Sequence, residues 1–190
     1  MDVSTFIVIA VVVVVLVYAI MIYNNLVRLK HGVSLAWSNI DVLLKQRHDE
    51  LPKLVETCKQ FMGYEQETLR QVMEARSRVA EAREAGDVAA LGPAETQLRL
   101  GLGNLFAVAE DYPELKASES FQHLQSRISG LENTIADRRE YYNEAVNNNN
   151  VRIEQFPDVL IARKFGFTAR DLLEFSDEEK KDVDLKSLFG

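Results

Sequence analysis

Cysteine is all but missing from this sequence. Cys58 stands alone, which excludes an internal disulfide framework and every CxxC metal or redox pair. Among Leu54, Val55 and Phe61 at helical spacing it reads as a small core hydrophobe. Proline and glycine are scarce, 4 and 9 in 190 residues, too few for a chain of many strands and turns. Histidine occurs at His31, His48 and His123 only, and the residues three positions before them are Arg28, Lys45 and Ser120. The Glu-x-x-His pairs of a di-iron carboxylate bundle are therefore absent, as is HExxH. GxSxG elbows and phosphate loops do not occur, and Gly101-Leu102-Gly103 lacks the third glycine of a dinucleotide fingerprint. His48 and Cys58 do not form a thiol dyad, because ten positions along one helix separate them by about 15 Å. No catalytic, cofactor or metal residue is nominated, and the chain is expected not to be an enzyme.

Positive charge is also in deficit. With 22 Lys and Arg against 29 Asp and Glu the net charge is −7. Duplex binding needs clustered basic residues that release counterions, so nucleic acid is not an expected partner. Anionic lipid headgroups repel such a surface as well. Any membrane attachment must come from insertion.

What the sequence has in abundance is apolar residues at one end. Phe6 to Ile22 runs without a polar break, with Phe6, Ile7, Val8, Ile9, Val13, Leu16, Ile20 and Ile22 nominated as lipid-facing residues. With its flanks it reaches about 20 residues, the length of a helix crossing a ~30 Å hydrocarbon core. Valine favours strands in water, but in lipid only a helix satisfies its own backbone within one segment. A cleaved signal peptide is the competing reading. No basic residue precedes the run, no small-x-small cleavage site follows it, and no cysteine waits there for lipidation, so an uncleaved single-pass anchor is expected. Asp2 lies before the span and Arg28 and Lys30 after it, which places the N-terminus outside and the remainder in the cytoplasm.

From Leu26 onward the apolar positions step by three and four. Leu26, Leu29, Val33, Trp37, Ile40, Leu44, Leu51, Leu54, Cys58 and Phe61 mark one helix leaving the bilayer, with a kink or restart at Pro52. Glu65 to Ala85 forms a second helix with Leu69, Val72, Met73, Val79 and Ala80 on its stripe, closed by Gly86 and Asp87. Gly92-Pro93 marks a further break, with Pro93 opening a new helix that Pro113 stops. Leu98, Leu102, Leu105, Ala109 and Tyr112 form its stripe, and Gly101 and Gly103 allow a close helix approach. Ser118 or Ser120 caps the last long helix. Its register runs through Phe121, Leu124, Ile128, Leu131 and Ile135 to Tyr142, Ala145, Asn149 and Phe156. Arg138 and Arg152 interrupt that register, and Asn147 to Asn150 invite fraying. Phe156-Pro157 ends it, a short amphipathic piece follows, and Gly166 turns the chain. Interhelix ion pairs are expected at Asp41 and Arg47, or at Arg138 and Arg139. The fold class is all-α: an anchor over 1–23, an antiparallel bundle of three to four long helices over 24–170, and an acidic flexible tail over 171–190.

Several ordered blocks resemble the LemA family. They are Tyr23-Asn24-Asn25-Leu26-Val27, Ala36-Trp37-Ser38-Asn39-Ile40-Asp41-Val42, Leu51-Pro52-Lys53-Leu54-Val55-Glu56-Thr57 and Glu67-Thr68-Leu69. Ala75-Arg76, Ala107-Val108-Ala109-Glu110-Asp111-Tyr112-Pro113, Arg138-Arg139-Glu140-Tyr141-Tyr142-Asn143, Phe156-Pro157 and Phe165-Gly166-Phe167 complete them. The likeness covers about residues 20 to 175. The chain departs from the family pattern at Arg163-Lys164, where small or apolar residues are usual. The resemblance implies a bacterial inner-membrane protein with a short external N-terminus and a cytoplasmic helical bundle, and it implies no activity. The expected role is a membrane-tethered scaffold that self-associates or docks other membrane proteins. A sensor module holding a small ligand or metal between helices is the alternative.

Overall fold

The structure is a computed structural model that describes residues 2–174; of the tail expected over 171–190, positions 175–190 lie outside the described residues. Six α-helices and no strand occur among the described residues. They are α1 (Val3–Lys59), α2 (Gln66–Ala85), α3 (Val88–Ala109), α4 (Pro113–Lys116), α5 (Glu119–Glu154) and α6 (Asp158–Phe165). Four of them are long, at 57, 20, 22 and 36 residues, as the apolar periodicity predicts.

Helix α1 runs from the apolar leader into the body without interruption. Positions 2 to 18 are all exposed. From Ile22 the stripe is buried through Leu26, Val33, Ala36, Ile40, Leu44, Leu51, Leu54 and Cys58. Such a helix is long and apolar enough to cross a membrane. No restart occurs at Pro52, which lies inside the helix. Proline lacks the N–H that would bond the carbonyl four residues back, on His48. That carbonyl is served from another helix: Arg76 Nε donates to it at 3.0 Å. A side chain from α2 thus fills the gap in the ladder.

The other boundaries follow from caps. Gly86 takes the left-handed conformation that closes α2, at φ 66. Asp87 then accepts from the Ala90 backbone and starts α3. The break expected at Gly92-Pro93 is not there: α3 runs through both residues, because its cap lies upstream at Asp87 and Pro93 removes one intrahelical bond only. Likewise α3 ends at Ala109, and Pro113 opens α4 rather than stopping α3. Ser118 accepts from the Phe121 backbone at 3.5 Å at the head of α5. Gly101 packs across Val72 of α2, whereas Gly103 faces open space. Gly92 is the glycine with no room to spare, since a Cβ there would strike the Glu174 carbonyl.

The register of α5 slips from the expected one. The buried positions are Phe121, Leu124, Ile128, Ile135, Arg139, Tyr142, Val146, Asn149 and Ile153. Arg139, not Arg138, takes the inner position; Val146 replaces Ala145, and Phe156 is 81% exposed. A straight α-helix drifts about 20° per heptad from a 3.5-residue repeat, so a strict seven-residue reading fails over such a length. The four asparagines do not fray the helix. Asn150 Oδ1 accepts from the Arg170 N–H at 2.9 Å and its Nδ2 donates to the Arg170 carbonyl at 2.8 Å.

The described chain divides into two compact units, and both α1 and α5 contribute to each: residues 2–39 with 140–171, and residues 40–139 with 172–174. In the first unit α1 and α5 are antiparallel, since Trp37 meets Tyr142 while Leu26 meets Ile153. Ile22, Leu26, Ile153 and Ala162 form its core, with Ile161 and Phe167 packed against them. The expected anchor of 1–23 therefore overlaps this core at Ile22. In the second unit α1 and α2 are antiparallel through His48 with Arg76 and Asp41 with Arg83, and α2 and α3 form a helical hairpin.

Candidate functional site

Charge inside the second unit is its most unusual feature. Arg47 falls on the buried stripe of α1, between Leu44 and Leu51, and is 1% exposed. Its guanidinium donates to Glu95 of α3 at 2.5 Å and to Glu132 of α5 at 2.6 Å. Arg99 lies 3.6 Å from Glu132. One turn along α1, Glu50 is 8% exposed and pairs with Arg127 at 2.9 Å and Lys53 at 3.1 Å. Burial alone would lower the Arg47 pKa, but the Glu95 and Glu132 carboxylates outweigh it and hold the group above its ordinary value. The cluster bridges three helices with charge-assisted bonds. Its chemistry is that of a brace: Arg stays protonated, and both carboxylates are engaged by it.

Neighbouring groups are equally inert. Burial pushes the Cys58 thiol up to about 11, so it is neither a nucleophile nor a metal ligand at neutral pH. Burial, and then the Arg76 guanidinium beside it, lowers the His48 pKa. Among the described residues no group of three His, Cys, Asp or Glu is placed to hold a metal ion. An opening of ≈ 530 Å³ in the second unit lies where α1 meets α2 and is lined by Val55, Lys59, Met62, Leu69, Arg70 and Met73.

The residues nominated from the sequence do not converge on one site. Tyr23 stacks edge-on against Phe165 and Phe167, with ring centroids 4.9 and 5.8 Å away. Asn24 is exposed on the same stretch of α1. Trp37 packs on Tyr142 at 5.6 Å, and the Tyr142 hydroxyl donates to the Asp171 carbonyl at 3.0 Å. Burial, with Asp171 adding to it, raises the Tyr142 pKa. Asp41 pairs with Arg83 at 3.7 Å, not with Arg47. Glu56 is exposed and lies 3.7 Å from Lys59. The Tyr112 hydroxyl donates to Glu65 at 3.4 Å, beside Pro113. Arg138 is exposed, Arg139 buried and Asn143 half-buried. The Phe156-Pro157 bond is cis, and Gly166 caps α6 at φ 71. Sequence reasoning missed Glu95, Glu132 and Asp158. Asp158 is 2% exposed and lies 2.8 Å from Arg152. The one available signal was a basic residue at an apolar stripe position, Arg47, which requires buried carboxylates on other helices.

A model of the LemA family matches residues 36–186, more than half of the chain. The chain belongs to the LemA family. Protein LemA of Metamycoplasma hominis is 28% identical over 167 residues, covering 87% of this chain and 74% of that protein. Magnetosome protein MamQ 2 of Paramagnetospirillum magneticum is 26% identical over 171 residues, covering 78% of this chain and 63% of MamQ 2. Magnetosome protein MamQ of Magnetospirillum gryphiswaldense is 23% identical with the same coverage. The chain thus spans 63% of the length of these MamQ relatives. The family model includes the cluster residues Arg47, Glu50, Glu95 and Glu132 and leaves most of the apolar leader outside.

Proposed function

We propose that this LemA-family chain is a membrane-anchored scaffold: a helical body held at the bilayer by one span, presenting its outer faces to a second copy or to other membrane proteins. The observation that carries the reading is the continuity of α1, whose exposed apolar leader passes directly into the buried stripe of the body. Side chains that would be needed for catalysis are instead consumed by packing: Arg47 and its carboxylates brace helices, and Cys58 is buried and protonated. Exposed apolar residues remain on the body, among them Leu35 at 63%, Val42 at 54% and Leu100 at 56%.

The basic residues Arg28 and Lys30 after the span favour an inner-membrane protein with its N-terminus outside and the body in the cytoplasm. Photo-crosslinking from Leu35, Val42 and Leu100 in native membranes, with mass photometry in detergent, tests the scaffold. Defined crosslinks to a second copy or to one membrane protein are expected; a strictly monomeric, uncrosslinked chain overturns the reading. Orientation is tested by a membrane-impermeant thiol reagent on Ser4→Cys and Ser120→Cys in a Cys58→Ala background. Intact cells should label the first and not the second.

A further inference from the structure

We propose that α6, with the turn before it, is a second membrane contact: an interfacial element that sets Phe156, Leu160 and Phe165 at the headgroup–acyl boundary and Arg163 and Lys164 against anionic lipid phosphates. It rests on the reading of Phe6–Ile22 as the span. Depth comes from contact within the first unit. The apolar run has 17 residues, about 26 Å of helix, so all of it is needed to fill a ~30 Å core. Ile161 and Phe165 of α6 line an apolar cleft of ≈ 230 Å³ together with Leu16, Ala19, Ile20 and Tyr23. The partners of α6 thus include the last two turns of the span as well as Leu26 and Ile153 just beyond it, which sets α6 at the boundary of the lipid.

Its surface suits that level. Phe156 is 81%, Leu160 59% and Phe165 55% exposed, although each is large and apolar. Tyr23 sits edge-on to Phe165, an aromatic pair where membrane interfaces concentrate such side chains. Charge agrees as well. The chain is net negative, but residues 151–170 carry four basic side chains, Arg152, Arg163, Lys164 and Arg170, against Glu154 and Asp158. Asp158 is buried and held by Arg152, and Arg163 and Lys164 are exposed on α6 with no ion pair among the described residues. An apolar face with a basic flank lies in the plane of an anionic bilayer.

The test uses the full chain in phosphatidylcholine–phosphatidylglycerol vesicles. In a Trp37→Phe background, single tryptophans are introduced as Phe156→Trp, Phe165→Trp and, within the span, Ile20→Trp. Brominated lipids should quench all three. Bromines near the headgroup should act most on the Phe156→Trp and Phe165→Trp probes, which should resist aqueous acrylamide. Adding Arg163→Glu and Lys164→Glu should reduce lipid quenching of the Phe165→Trp probe about two-fold and leave the Ile20→Trp probe unchanged. Free access of acrylamide to the Phe156→Trp and Phe165→Trp probes overturns the proposal. So does shielding from both quenchers, which would mean protein covers them. In either case lipid quenching of Ile20→Trp leaves the anchor standing. Loss of that quenching overturns the anchor first.

Discussion

The two units use the same two helices for opposite interiors. Around Leu26 and Ile153 the first unit is held by aliphatic packing and by aromatic meetings, Trp37 on Tyr142 and Tyr23 on Phe165 and Phe167. Around Arg47 the second unit places a cation in its centre between two carboxylates, with a second ion cluster one turn away. Apolar packing is non-directional and tolerates shifts in register. A buried guanidinium does not, because its hydrogen bonds to Glu95 and Glu132 have fixed directions and losing either leaves buried charge poorly compensated. The contrast teaches that the second unit holds one alignment of the three helices its ion cluster bridges, whereas the first accepts small adjustments.

The largest effect that sharpens this contrast is expected at Arg47. Arg47→Met leaves Glu95 buried without its guanidinium and Glu132 with Arg99 at 3.6 Å, and should lower stability by about 3–5 kcal/mol, read as a fall in thermal midpoint by circular dichroism in detergent. Replacing the set together, Arg47→Met with Glu95→Leu and Glu132→Met, should recover most of the loss. If the triple variant is as unstable as the single one, the cluster is not a self-contained brace. In the first unit, Leu26→Ala should cost about 2–5 kcal/mol through the cavity it leaves. Its signature is separate: hydrogen exchange should rise around Ile153 and Ala162 and stay unchanged around Glu95.

A smaller effect is expected at Arg76. Arg76→Ala leaves the His48 carbonyl without its donor and should cost about 1–3 kcal/mol. In a Pro52→Ala background the missing N–H returns, and the same substitution should cost clearly less; equal losses in both backgrounds would show that the bond to His48 is incidental. The smallest effect is a dependence on pH. The folded state lowers the His48 pKa, so it prefers the neutral ring. Above about pH 6.5 folded and unfolded chains are both neutral and the contribution is fully present. It is lost as pH falls from there through the lowered folded value. Melts of the wild type and His48→Gln should therefore converge on the same slope at neutral pH and diverge on acidification, the wild type falling faster.

Much of this was legible in the sequence, and the failures are physical. The apolar leader as helix, the continuity of α1, the Gly86–Asp87 turn, the Ser118 cap and the Gly166 turn are local, since each depends on residues within a few positions of one another. Arg47 was visible as half of an ion pair, but Glu95 and Glu132 lie 48 and 85 residues away on other helices, and no local pattern links them. Asp41 was likewise visible as one member of an interhelix pair, while its partner Arg83 lies on α2. Arg138 and Arg139 were exchanged because heptad counting accumulates drift along 36 residues. The restart offered at Pro52 did not occur because another helix supplies what that proline removes, and the break at Gly92-Pro93 failed because a cap upstream had already fixed the helix start.

Pro52 has one more implication. The final turns of α1 close their ladder with a guanidinium that is synthesised later in the chain, after the turn at residues 60–65. The leader, in contrast, completes its own bonds. During translation the apolar leader is complete as a helix on its own, while the stretch around His48 has to wait for Arg76 to emerge. A nascent chain halted before that arginine would be unlatched, and protease sensitivity should concentrate at His48 until α2 has been made.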